Sequence, residues 1–392
     1  MREYKHEVLT SVPMRTRRAR RGMSLPLDQG APAPQTLEVQ KASLHGIVRH
    51  EERDMKVIEV PASFDLRDIR PVERPELPDP GPGQVLIRMN AVSLNFRDLL
   101  VAQGHDRWLP PTGRIPVSDG VGVVLAVGSG ANGISVGQRV ITTILPKWIS
   151  GPLTVQKRKG GLGGPAADGV LAERILLDAT AVVPAPDYLT DVEAATLPCA
   201  ALTAWHALTR AGSLRPDSTV LVEGTGGVSL FALQIAASAG AQVIATSSTE
   251  AKLDRLRELG AAATVNYLKR PRWGVEVVDL TDGQGVDHAI DIGGATTLEQ
   301  SISSVCMEGV VSVVGLVGGL RTEINLAEIF QKNLRLDGIE TGSRSMLEDL
   351  VRWFDLKRLH PIIDRTFPFQ DSNAAFLHLK AGGHIGKICV VM

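Results

Sequence analysis

The sequence predicts an α/β protein in two parts: an antiparallel β domain and a parallel sheet of βαβ units. Three observations predict it. The runs MKVIEV (from Met55), QVLIRMNAVSLN (from Gln84) and VGVVLAVGSG (from Val121) are strand-like, with Pro/Gly-rich turns such as LPDPGPG (from Leu77) between them. From Thr219 strands and helices alternate through STVLVEG, VSLFALQIAASAG, AQVIATSS, TEAKLDRLRELG, ATVNY, VDHAIDIG, ATTLEQSISSV and GVVSVVGL. The first strand of that alternation runs straight into a glycine turn and a helix, TVLVEGTGGVSL.

Composition bounds the function classes. The 392 residues are 44% hydrophobic and 22% charged, with 42 Lys and Arg against 43 Asp and Glu, a formal net charge of -1. The sum hides an asymmetry, because residues 1–22 carry +5 and the remaining 370 carry -6. A mildly acidic body argues against a nucleic-acid footprint, and 4% aromatics disfavours base-stacking RNA modules. The longest apolar stretch, Gly309 to Leu320, is too short to span a bilayer, and no signal-peptide core follows the N-terminal arginines. Cys199, Cys306 and Cys389 are far apart and odd in number, which suits a reducing, cytoplasmic compartment. The expected partner is a small-molecule substrate, with neither membrane nor nucleic acid.

Residues 1–54 read as a disordered basic extension. Within it RTRRARR (from Arg15) fits an import signal, an organelle-targeting signal, a nucleic-acid patch or a solvated tail, with Met23 and Met55 as alternative starts. Residues 55–199 form the antiparallel domain, which contains a glycine-rich loop from Lys157 to Gly169. LTDVEAATLPCAALTAWHALTRAG (from Leu189) is helical, with Asp191 as its cap. Residues 200–341 form the parallel-sheet domain, and residues 342–392, a helix and a last strand, return to the first domain.

The glycine turn has the order Gly224-x-Gly226-x-x-Ser229. Gly224 permits a tight turn, and Gly226 lets backbone approach a pyrophosphate at the helix N-terminus. The small Ser229 stands where close helix–strand packing usually takes glycine. An NAD site places Asp or Glu at the end of the second strand, whereas here Thr246, Ser247 and Ser248 precede Lys252. With no carboxylate to repel a 2′-phosphate, NADP(H) is expected, and Lys252 is either its charge-assisted contact or an exposed helix cation. Gly133-Ile-Ser135-Val-Gly137 matches a hydrolase elbow, but a strand follows it rather than a helix, so it reads as a turn.

Together VSLNFRDLLVAQG (from Val92), PVSDGVGVVLAVGSG (from Pro116), VGQRV (from Val136), AATLPCAALTAWHAL (from Ala194), the glycine turn and HIGKICVV (from His384) resemble a known family. That family is the medium-chain dehydrogenase/reductases, in particular the zinc-independent, quinone oxidoreductase-like branch. The resemblance implies a GroES-like antiparallel β catalytic domain interrupted by a Rossmann doubly wound parallel sheet. It places Asn95 and Ser118 where zinc relatives have the first Cys and the His of their catalytic metal. Only Cys199 keeps its ligand type, and one thiolate is not a site, so no metal is expected. Arg97 likewise replaces a hydroxyl proton relay. The resemblance implies cofactor contacts from Thr203, Gly224, Gly226, Gly227, Val228, Ser247, Lys252 and Tyr267, and from Leu316, Ile339 and Thr341 around the nicotinamide. It also implies a homodimer joined through an edge strand, for which GVVSVVGLVGG is uncharged enough, although an interior strand would look the same.

Without a metal Lewis acid, reduction of a conjugated C=C or a quinone is easier than that of a simple ketone, since the charge delocalises into an enolate or phenolate. Asn95 is the candidate carbonyl donor and Asp98 its orienting or relay partner, with Ser118 and Asp119 lining the same cleft. Asp98 and Asp119 equally suit a role holding their own turns. The expected function is thus an NADPH-dependent, metal-independent reductase of quinones or α,β-unsaturated carbonyls. The alternatives are an enoyl reductase of a polyketide or fatty-acid assembly line, an alcohol dehydrogenase-like enzyme, and a non-catalytic NADPH- or RNA-binding protein.

Overall fold

The computed structural model describes residues 54–210, 214–315 and 317–392, so the basic N-terminal run and Leu316 lie outside the described residues. The longest strand, Gln84–Leu94, organises the antiparallel part, pairing with Asp119–Val127, Arg174–Asp178 and Lys387–Val391. The seven-stranded sheet runs Ile363–Pro368, Lys387–Val391, Gln84–Leu94, Asp119–Val127, Arg139–Thr142, Val182–Pro184, with Arg174–Asp178 on a side branch. Gly122 is small by necessity, because a Cβ there would fall 2.3 Å from the carbonyl oxygen of Arg88 on the paired strand. Met55–Ile58 makes a separate two-stranded sheet with Pro71–Arg74.

The second sheet has six strands, all parallel, in the spatial order Ala263–Asn266, Gln242–Ser247, Thr219–Glu223, Val286–Asp291, Val305–Val313, Arg335–Gly338. Numbered along the chain this is 3-2-1-4-5-6, the doubly wound order with its reversal between the first and fourth strands. Both faces are covered, as the unbroken run Val220-Leu221-Val222 requires. Val220 and Val222 pack with Phe231, Leu233 and Phe354, while Leu221 packs with Trp273, Val277 and Ile302 on the other side. The first of these clusters continues into Ala91, Val121 and Ile141 of the antiparallel sheet, so the two sheets share a core. A further cluster around Val57, Ile87, Met89 and Phe376 fills the antiparallel part alone.

Several expectations change. GVVSVVG is interior, since Val305–Val313 pairs on both sides, and the edge strand on that side is Arg335–Gly338. That short, half-polar RLDG stretch carries no period by which to find it. Asp191 is not the cap. Thr190 caps Asp191–Ala194 in a capping box with Glu193, while Asp191 accepts from Asn90 and Arg139. The single expected helix is broken into Asp191–Ala194, a π-helical turn at Leu197–Ala201 and Leu202–Arg210. After residue 341 the chain divides. Helix Arg344–Lys357 puts Leu347, Leu350 and Phe354 into the core shared with the parallel sheet, and Ile363–Pro368 and Lys387–Val391 join the antiparallel one.

Candidate active site

A cleft of about 1930 Å³ lies between the two sheets. Its dinucleotide-like end is built on the glycine turn. Gly224 has φ +76°, a left-handed conformation that glycine takes without strain. Gly226 caps the helix Gly227–Ser238 with no side-chain hydrogen bond, so the first N–H groups of a twelve-residue helix point at open cleft. A Cβ on Gly226 would meet nothing within 4 Å. The turn thus offers space and unpaired donors to an anion. Ser229 is no defect here, because its hydroxyl donates to the carbonyl of Glu223 at 2.6 Å and ties helix to strand.

Gly227 has a different reason to be glycine. A Cβ there would fall 2.7 Å from Cδ of Lys387 and 3.2 Å from Cβ of Ala200. The turn is stitched to the last strand through Gly386 N–H to the Thr225 carbonyl, 2.9 Å, and this close approach brings Lys387 under the helix N-terminus.

Of the residues expected around a dinucleotide, Thr203, Gly224, Gly226, Gly227, Val228, Ser247, Lys252, Tyr267, Ile339 and Thr341 all line the cleft, and Leu316 lies outside the described residues. Lys252 has no ion pair among the described residues, while the nearby Glu250 is held by Lys269 and Asn266. Thr341 Oγ1 is buried without a partner, an orphaned polar atom in the cleft wall. His206, also in the wall, donates from Nδ1 to the Thr341 carbonyl and packs edge-on against Trp148. Burial holds its pKa below the ordinary imidazole value, so the ring is neutral with its proton on Nδ1.

At the other end of the cleft the expectations hold less well. Asn95 lines it, but Asp98, Ser118 and Asp119 are wholly buried behind it and are not substrate contacts. The reason is local hydrogen bonding. Asp98 sits in the first turn of helix Phe96–Ala102, accepts the Asn95 N–H at 2.8 Å and meets Nη1 of Arg97 at 3.1 Å. Asp119 accepts Ser118 Oγ at 2.7 Å and the Cys199 N–H at 3.0 Å. Burial raises the pKa of Asp98 to about 6, with Arg97 opposing, and burial raises that of Asp119 with Lys387 opposing.

Lys387 is the residue that motif reasoning missed. It is 3% exposed, and its ammonium donates to the Leu94 carbonyl at 2.6 Å and to Asn95 Oδ1 at 2.5 Å. That bond orients the Asn95 amide and leaves its buried Nδ2 without a hydrogen bond of good geometry, although the side chain stands close enough to Asp119 to favour its charge. The signal was legible as one lysine in an otherwise apolar strand, HIGKICVV.

The donor set does not fit a zinc ion. Asn95 offers an amide already bound to an ammonium, Ser118 is tied to Asp119, and burial pushes the Cys199 thiol far up. No group of three His, Cys, Asp or Glu side chains among the described residues could hold a metal. No helix among them is long and apolar enough to cross a membrane.

Residues 81–187 match the alcohol dehydrogenase GroES-like domain, and residues 227–355 the zinc-binding dehydrogenase domain. The chain is 39% identical to a zinc-type alcohol dehydrogenase-like protein of Schizosaccharomyces pombe, over 78% of this chain and 90% of that one. It is 28% identical to an acryloyl-coenzyme A reductase of Sulfurisphaera tokodaii, over 80% of this chain and 95% of that one. The solved structure of an NAD-dependent alcohol dehydrogenase, 30% identical, superposes with a TM-score of 0.78 over 86% of this chain and all of its own. With both domains in order and the two sheets as found, the chain belongs to the medium-chain dehydrogenase/reductase family of oxidoreductases.

Proposed function

We propose that the chain is an NADPH-dependent, metal-independent reductase that adds hydride to a carbon–carbon double bond conjugated to a carbonyl, or to a quinone. The observation that carries this is the ammonium of Lys387, hydrogen-bonded to Asn95, in the corner where zinc relatives are expected to keep their metal. The nicotinamide cofactor, when bound, supplies the hydride. The chain's own residues hold and polarise. The helix at Gly227 and Lys252 take the cofactor phosphates, Ser247 and Tyr267 flank the adenosine end, and His206 fixes Thr341 beside the nicotinamide. Lys387 and Arg97, both in the wall, place fixed positive charge where an enolate oxygen develops. The neutral end of the second strand, and Lys252 with no ion pair among the described residues, support NADPH over NADH.

A second reading, an enoyl thioester substrate, is favoured by the mouth of the cleft. Arg107 lies over Trp108 at 4.6 Å, and the same cleft is lined by Arg97 and Lys159, cations suited to a phosphate-bearing thioester, and one relative is an acryloyl-coenzyme A reductase. The edge strand Arg335–Gly338, with exposed Leu336 on it and exposed Leu326 and Phe330 before it, supports a homodimer. Three cysteines outside any disulfide support a cytoplasmic setting.

The test is NADPH oxidation by purified protein against enones, quinones, enoyl thioesters and simple ketones, with zinc quantitation. Turnover of conjugated substrates, insensitive to chelator and with zinc well below one equivalent, is expected. Stoichiometric zinc with chelator-sensitive ketone reduction would overturn the proposal.

A further inference from the structure

Glu223 and Asp291 end the first and fourth strands of the parallel sheet, neighbours at the point where the strand order reverses. Both are buried. Between them stands Ser301, its Oγ 2.5 Å from Glu223 Oε1, 2.8 Å from Asp291 Oδ2 and 3.2 Å from the Thr297 carbonyl. A hydroxyl has one hydrogen, so it cannot donate to both carboxyls, and one of them must present a hydrogen to it. The remaining partners are neutral donors: Ile292 and Gly293 N–H on Glu223, and Gly294 N–H and Thr297 Oγ1 on Asp291. From the other packed elements Thr246 pairs beside Glu223, and Ser229 on the glycine-turn helix bonds its carbonyl. Asp291 is the leading charge that acts on Glu223, and the two carboxyls also stand within direct hydrogen-bonding reach of each other. Burial, then that charge, pushes Glu223 up to about 8, and burial raises Asp291.

We propose that Glu223 and Asp291 hold one shared proton through Ser301, which makes Glu223 a positioning residue for the dinucleotide. Glu223, Gly224, Ile292 and Gly293 are all in the cleft wall, so the pair anchors a loop of that wall and keeps a second negative charge away from the place proposed for the pyrophosphate. Loss of the proton sets two carboxylates against each other across Ser301 and against an anionic cofactor.

The inference rests on the dinucleotide reading, and the experiment separates the two. NADPH affinity is measured calorimetrically from pH 7 to 9.5 for wild type, Glu223→Gln and Asp291→Asn. Wild type should weaken about tenfold over that range, as linkage to one proton allows. Each variant leaves a pair with one charge and no shared proton to lose, so both should be flat over this range whatever their affinity at pH 7. A folded variant that keeps the wild-type slope, or a flat wild type, overturns the shared proton. Wild type that binds no NADPH at any pH overturns the cofactor reading instead. The pair is then read from the melting temperature without cofactor, which should fall between pH 6 and 8 in wild type and not in Glu223→Gln.

Discussion

Two pairs of buried carboxyls lie at the cleft, and their surroundings differ. Asp98, in helix Phe96–Ala102, and Asp119, at the start of strand Asp119–Val127, have Arg97 and Lys387 at hand. Glu223 and Asp291, at the ends of parallel strands, are held among the described residues by hydroxyls, backbone N–H groups and each other. Burial raises all four, but Asp98 stops at about 6 where Glu223 reaches about 8. A counter-charge lets a buried acid stay ionised and orient a neighbour, whereas its absence makes a proton the counter-charge. The first pair supports the end of the cleft proposed for the substrate, through Asn95 and Lys387, and the second lies at the end proposed for the cofactor.

The comparison breaks most severely at Lys387. Lys387→Met removes the cation from the first pair, so Asp119 takes up a proton and Asn95 loses its orientation. Steady-state kinetics with NADPH and an enone should show kcat/KM falling about 100-fold or more, the scale of losing one preorganised donor. Activity within threefold of wild type would remove Lys387 from the mechanism. Gly227→Ala tests the same cation indirectly, since a Cβ there strikes Lys387. Overpacking of this kind costs about 1–3 kcal/mol, to be read by denaturant unfolding together with a reduced kcat.

The second pair is tested by stability against pH. Glu223 has a folded pKa of about 8 against an ordinary 4.5, so the folded chain holds more protons between those values. Stability therefore falls as pH rises from about 4.5 to 8 and levels above it. Asp98, at about 6 against 3.8, adds a smaller decline of the same sign below pH 6. Thermal melts of Glu223→Gln should lose the upper part of this decline and keep the lower. Away from both pairs, Lys252→Ala should raise the KM for NADPH about tenfold, the worth of one charge-assisted hydrogen bond, and leave NADH unchanged. Equal effects on both cofactors would place the 2′-phosphate elsewhere. Cys199→Ala should change activity less than about twofold, as for a packed small hydrophobe rather than a metal ligand.

Much of this was legible along the chain. The βαβ alternation and the turn at Gly224 are local patterns, set by hydrophobic period and by glycine's backbone freedom, and they survive into the doubly wound sheet. That Ser247, Lys252 and Thr341 would share one cleft wall was legible for the same reason, because strand ends and the turn deliver them to one edge. The short edge strand Arg335–Gly338 was not, since four half-polar residues have no period. The broken helix around Cys199 was not either, because its π turn is set by packing rather than by propensity.

The substrate end shows where the sequence stops being informative. Asp98, Ser118 and Asp119 read as cleft residues because the motifs that carry them surround Asn95, yet a first-turn hydrogen bond and the contact with Cys199 turn them inward. By itself the sequence determined the fold class, the order of its parts and the glycine turn, because these depend on residues close together in the chain. Only the tertiary structure decided which charges meet. Lys387 lies 292 residues from Asn95, and Ser301 lies 78 from Glu223. Whether a buried carboxyl keeps its charge or a proton depends on such distant neighbours, since in a low-dielectric interior the nearest compensating charge decides.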